Sequence, residues 1–270
     1  MSNQGKRRKI LFATWKDRLD YSKSIALARE IVAQTGSLEL AYSVVLCPSS
    51  IALVSVGQII RDTNIGLGAQ NVFWKQKSPC TGEIRAETLV EIGCKFVILG
   101  HSERKVYLGE SEEMIYRKVA AALEIGLHPI ICVGESFEAK KKGVQEQIVE
   151  NQLLNALKAL ESERQDPRQI VIAYEPAWAI STSEVGIALS PTEANKMHEF
   201  IRTVLADKFS TEFASNITIV YGGSMDNENA EKFFSEPEID GGLVGSATQS
   251  IESFIKLVKS ANRAYDRLVH

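Results

Sequence analysis

Short apolar runs alternate with longer amphipathic stretches along this chain. The apolar runs cover residues 10–15, 43–47, 65–69, 96–100, 129–133, 170–174, 217–221 and 242–245, and they are rich in Val, Ile and Leu. Their apolar character is continuous rather than alternating, which fits strands buried on both faces. Helical spacing fills the gaps. Ile25, Ala28, Ile31 and Val32 fall on one face of 22–33, and Ile115, Val119, Ala122 and Leu123 on one face of 112–123. Residues 145–160, 192–205 and 251–261 repeat that pattern. Ser111 before Glu112 and Glu113 reads as a helix start, as does Ser190-Pro191-Thr192-Glu193 with Pro in the first turn. Gly126 reads as a stop.

Strand–helix alternation implies a parallel sheet. Eight such units in 270 residues predict closure into an α/β (β/α)8 barrel, a single domain over 1–270 with residues 1–8 as an N-terminal lead-in. An open doubly wound sheet would want G-x-G-x-x-G after the first strand, and residues 10–17 carry none.

Composition narrows the classes. The chain is 44% hydrophobic and 24% charged, with a net charge of -3, so it is ordinary for a soluble protein and a poor polyanion binder; no nucleic-acid partner is expected. Lys6-Arg7-Arg8-Lys9 reads as a solvated run leading into the first strand. No apolar run reaches the ~18 residues that span a bilayer, and no apolar segment with a cleavage site follows the basic run, so neither membrane span nor signal peptide is expected. Cys47, Cys80, Cys94 and Cys132 are scattered without C-x-x-C, which predicts reduced thiols in a cytoplasmic protein and no zinc site.

In a barrel the strands deliver functional groups at their C-terminal ends. Here they deliver Thr14 and Lys16, then His101, Ser102, Glu103 and Arg104, then Gly134 and Glu135, then Glu175, then Gly222, Gly223 and Ser224, and finally Gly245 and Ser246. A lone strand-end Glu is more often a structural ion pair, and a lone His there a hydrogen-bonded structural residue. Lys16 has Asp20 as a possible local partner. Together, however, Glu175 and His101 can move protons between neighbouring carbons, and Lys16 can neutralise an anion. Glycine-containing turns after consecutive strands suit phosphate oxygens. Without a metal-ligand cluster or cofactor motif, the set favours proton transfer next to the carbonyl of a phosphorylated substrate. Cys132 sits in an apolar strand and reads as core.

The motifs GAQN (68–71), TGEI (81–84), VILGHSER (97–104), CVGE (132–135), YEPAWAI (174–180), YGGS (221–224) and DGGLVGSA (240–247) occur in the order seen in the triosephosphate isomerase family, which the chain resembles over its full length. The resemblance implies a TIM barrel that interconverts glyceraldehyde 3-phosphate and dihydroxyacetone phosphate without a cofactor, a step of glycolysis and gluconeogenesis. By motif, Glu175 resembles the family's base and His101 its neutral electrophile; the family is a known worked case of such pKa tuning, and these roles are the family's. Lys16 resembles the lysine that draws in the substrate and stabilises the enediolate, with Glu103 as its partner. Ser102 and Cys132 match positions near the site. Thr14, Ser181, Ser224, Gly245 and Ser246 match substrate and phosphate contacts. Pro176, Ala177 and Trp178 match a lid hinge, with Tyr221 (and Ser224) as latch. Thr81 matches an inter-subunit residue, so a homodimer is implied.

The chain also departs from that family. Thr14 stands where N-W-K has Asn, and Asp17 follows the lysine. The lid's Ile-Gly-Thr-Gly is Ile180-Ser181-Thr182-Ser183, in a longer segment, and a Gly-Gly pair is Gly245-Ser246. A branch of the family isomerises four-carbon ketose phosphates such as erythrulose 1-phosphate. It likewise alters the Asn, the lid and the last glycine, and carries Trp in the stretch matching Val72-Phe73-Trp74. That activity is the alternative reading, followed by a catalytically weak barrel with a binding role.

Overall fold

A computed structural model describes residues 7–35, 38, 40–75, 79–160, 166–180 and 187–269, with side chains to residue 265. Its elements run β1 (Ile10–Thr14), α1 (Tyr21–Thr35), β2 (Ser43–Cys47), α2 (Leu53–Ile60), β3 (Gly66–Ala69), α3 (Ala86–Glu91), β4 (Phe96–Leu99), α4 (Ser102–Leu108), α5 (Glu112–Glu124) and β5 (His128–Val133). They continue with α6 (Phe137–Lys141), α7 (Gln145–Leu157), β6 (Val171–Tyr174), α8 (Pro191–Lys208), α9 (Thr211–Asn216), β7 (Thr218–Tyr221), α10 (Ala230–Phe234), β8 (Gly241–Val244) and α11 (Ile251–Val269).

The strands close into a parallel barrel in chain order, β8 pairing β1 with Ile10 opposite Gly241. Alternate residues of each strand explain the continuous apolar runs. Phe12, Val45, Phe96, Ile98, Ile130, Val171, Val220 and Leu243 fill the barrel interior. Leu11, Val44, Val97, Ile131, Ile172 and Ile219 pack outward under the helices. Both faces are therefore dry, as an all-parallel sheet requires.

The N-terminal basic run differs from its sequence reading. Arg7 Nε lies 2.8 Å and Lys9 Nζ 3.1 Å from Asp240 Oδ1, and the Arg8 guanidinium sits 5.0 Å from the Phe96 ring centroid. Arg7 and Lys9 are thus partly buried against the N-terminal end of the barrel, while Arg8 stays exposed. The cause is Asp240, a fully buried carboxylate that needs cations around it. Lys6 lies outside the described residues. Among the described residues, no helix is long and apolar enough to cross a membrane.

Candidate active site

Glu175 is the first residue past β6. Its N–H donates to Val133 O at 2.7 Å, and its side chain is only 3% exposed. Two glycines permit this seat. A Cβ on Gly134 would come 2.0 Å from Glu175 O, and one on Gly222 would come 3.3 Å from Glu175 Cβ. At Gly134 a side chain would strike the Glu175 carbonyl outright, and at Gly222 it would crowd the Glu175 side chain.

His101 Nε2 lies 2.7 Å from Glu175 Oε1, and the Ser102 N–H donates to Oε2 at 2.9 Å. His101 also caps α4, its Nδ1 accepting the Glu103 N–H at 3.2 Å. With Nδ1 used as an acceptor, the ring proton sits on Nε2 and is donated to Glu175. Burial works to lower the His101 pKa and the touching Glu175 carboxylate to raise it, and the carboxylate prevails. The same Nδ1 lies 3.6 Å from Glu103 Oε2, so each ring nitrogen has a carboxylate near it. For Glu175, burial pushes the pKa up, while His101 and the Ser102 N–H pull it below the ordinary glutamate value.

Lys16 has φ 52, the positive-φ non-glycine among the described residues. Such a backbone costs roughly 1–3 kcal/mol and persists only where neighbours hold it. Gln70 does so: its Nε2 donates to Lys16 O at 2.9 Å and to Cys47 O at 3.0 Å. The turn carries Lys16 Nζ across the barrel mouth to Glu103 Oε1, 2.6 Å away. Asp20 pairs with Lys23 at 3.0 Å instead, so the local partner open to Lys16 in the sequence is taken.

Thr14, Lys16, His101, Glu175, Ser224, Gly245 and Ser246 line one cavity of about 20 Å³. A water occupies roughly 10–15 Å³ by this kind of measure, so the cavity as it stands admits a water and no sugar phosphate. Thr14, Lys16 and His101 also border a far larger groove, about 1140 Å³, that passes Gln70, Glu103 and Tyr107. Among the described residues no cluster of three or more His, Cys, Asp or Glu side chains could hold a metal ion.

Past Glu175 the chain is pinned. The Ala177 N–H donates to Glu135 O at 3.0 Å and Trp178 Nε1 to Glu135 Oε1 at 2.7 Å, while the Tyr174 hydroxyl reaches both Glu135 oxygens. The Ser224 N–H donates to Ala179 O at 2.7 Å, tying the turn after β7 to the same connection. Tyr221 stacks on Phe233 with ring centroids 4.4 Å apart, and its buried hydroxyl has no partner among the described residues. Ser181 falls outside the described residues. Thr81 is exposed in the connection between β3 and α3 and does not line the cavity at Glu175. Cys132 is buried in β5, and burial, with Glu175 nearby, drives its thiol pKa well up, which makes it a poor nucleophile.

Strand-end reasoning passed over Gln70 and left Glu135 without a role. Gln70 directly follows β3, so asking what that strand delivers would have found it. Glu135 follows β5 in the same way, but its partner Trp178 lies far along the chain.

A family model described as Triosephosphate isomerase matches residues 9–261. The chain is 40% identical over 255 residues to the triosephosphate isomerase of Chloroherpeton thalassium, covering 94% of this chain and 99% of the relative. It is 41% identical over 258 residues to that of Rhodopirellula baltica, covering 96% and 99%. With that of Dictyoglomus thermophilum it shares 39% identity over 254 residues, covering 94% and 100%.

Proposed function

The chain belongs to the triosephosphate isomerase family, and on that premise we propose that it interconverts glyceraldehyde 3-phosphate and dihydroxyacetone phosphate by proton transfer through an enediolate. The observation that carries this reading is the 2.7 Å contact between His101 Nε2 and Glu175 Oε1 in a mouth shared with Lys16. On entering, the substrate separates the pair. Glu175 takes the proton from the carbon next to the carbonyl and returns it to the neighbouring carbon. The His101 Nε2–H polarises the carbonyl and then relays protons between the two oxygens. Lys16 neutralises the enediolate, and Glu103 holds its ammonium in place. Ser224, Gly245 and Ser246 face the phosphate, with Pro176, Ala177 and Trp178 as the hinge of a segment that includes Ser181 and Tyr221 as its latch. This assignment is tested by turnover of both triose phosphates in a coupled assay with chelator present. Robust interconversion is expected; folded protein with no rate above background would overturn it.

A second reading has one observation in its favour. Thr14, shorter than the family's amide at that place, lines the cavity beside Lys16 and His101. Thr14→Asn should then lower turnover of a four-carbon ketose phosphate relative to dihydroxyacetone phosphate. An unchanged ratio removes Thr14 as the determinant.

We further propose a homodimer in the cytoplasm. The groove beside Lys16 is bordered by the exposed side chains of Tyr107 and Leu108, next to exposed Val106, an apolar rim suited to a second copy of the chain carrying Thr81. Sedimentation equilibrium should return twice the 29.8 kDa chain mass; a monomer at micromolar concentration contradicts this. The unpaired thiols of Cys47, Cys80, Cys94 and Cys132 are compatible with a reducing compartment.

A further inference from the structure

We propose that Lys140, on α6, is a positioning residue for Glu175 that acts through the indole of Trp178. The inference rests on the role given to Glu175 above. Trp178 lies three residues past Glu175 and is buried. Its indole is held along two directions by one short piece of chain. Glu135 takes the ring N–H at 2.7 Å, and Lys140 Nζ sits over the ring face, 3.9 Å from the centroid. Every other cation–ring contact among the described residues is longer, the next being Lys141 over Phe137 at 4.5 Å. An ammonium that close to an indole face is drawn to the ring quadrupole. The indole therefore cannot tilt without losing either the hydrogen bond at its edge or the cation at its face.

The same ammonium lies 3.6 Å from Glu193 Oε1. Glu193 closes the capping box that starts α8, its other oxygen accepting from the N–H and hydroxyl of Ser190. One charge thus joins α6, the indole three residues past the base, and the first turn of the next helix. The side chains of Lys140 and Glu193 are 33% and 55% exposed, so the pair adds little to global stability. Its consequence is local: a base whose position relative to the reacting carbon must be held to a fraction of an ångström loses rate when its anchor loosens.

The test is Lys140→Met, which keeps the aliphatic stem and removes the charge. The expected result is kcat lowered by about two- to fivefold, with KM and the thermal midpoint unchanged. Lys140→Arg, whose guanidinium also stacks on an indole, should restore kcat. In a Trp178→Phe background the charge should matter less, so the two substitutions should be non-additive. Parental kcat in Lys140→Met would overturn the proposal, as would a loss that adds in full to that of Trp178→Phe. Either result with an active parent leaves the isomerase reading intact; a parent without turnover sinks both.

Discussion

Two buried carboxylates sit at opposite ends of this barrel, and they are held differently. Asp240, at the N-terminal end, uses both oxygens twice. Oδ1 accepts from Arg7 Nε and Lys9 Nζ, and Oδ2 accepts from Arg202 Nη2 at 3.1 Å and the Ile219 N–H at 3.0 Å. Glu175, at the C-terminal end, has one donor per oxygen, His101 and the Ser102 N–H, and borders a cavity. A carboxylate has about four acceptor sites. Asp240 fills them; Glu175 leaves acceptor sites open beside the cavity. Burial alone therefore does not set the proposed base apart. Incomplete satisfaction beside a cavity does.

The comparison can be broken at either end. Glu175→Asp, which withdraws the carboxylate by one methylene, should lower kcat by roughly 10²–10⁴ while leaving the thermal midpoint near the parent's. A variant within a few-fold of the parent would make Glu175 a structural carboxylate like Asp240. Asp240→Ala should do the reverse, costing about 3–5 kcal/mol in urea unfolding because three cations lose their partner, with kcat per folded molecule retained. A stable but inactive variant would contradict the division of labour.

The third expectation concerns pH. His198 on α8 is fully buried near the Asp240 end, its Nδ1 3.2 Å from Glu238 O, and burial lowers its pKa from 6.5 to about 4 despite nearby Asp240. Arg202 and Lys9, which also face it, push in the same direction as burial. The folded protein thus holds the neutral ring. Stability from this group is complete above about pH 6.5 and falls as the pH drops toward 4, by up to about 3 kcal/mol. Urea midpoints across that window should show the loss, and His198→Asn should flatten it; an unchanged slope would place its origin elsewhere. The Asp240 end would then report pH through stability, and the Glu175 end through rate. Smallest is the effect expected of Lys140→Met.

The strands were legible because burial on both faces writes an unbroken apolar run. Each observed strand lies within one residue of its expected bounds, and Ser43–Cys47 coincides with them. Long helices were legible too, although α11 runs to Val269, past the expected 261, on a charged final stretch that hides its apolar face. The short helices Leu53–Ile60, Ala86–Glu91, Ser102–Leu108, Phe137–Lys141, Thr211–Asn216 and Ala230–Phe234 were missed because about two turns or fewer show no clear period. At the site, strand-end logic singled out Lys16, His101 and Glu175, and the structure gathers them around one cavity. Gln70, which follows β3, was within reach of that logic, but its role, donating to the carbonyls of Lys16 and Cys47, was not. Arg7 and Lys9 of the basic run were misread because their partner, Asp240, lies more than two hundred residues away.

The account stands or falls on whether Glu175 carries a proton between substrate carbon and solvent. The direct measurement is turnover of dihydroxyacetone phosphate in D2O, followed by NMR, for the parent and for Glu175→Gln. Deuterium should enter at the carbon next to the carbonyl with the parent and fail to enter with the amide variant. Incorporation by Glu175→Gln at the parental rate would assign the proton transfer to another group.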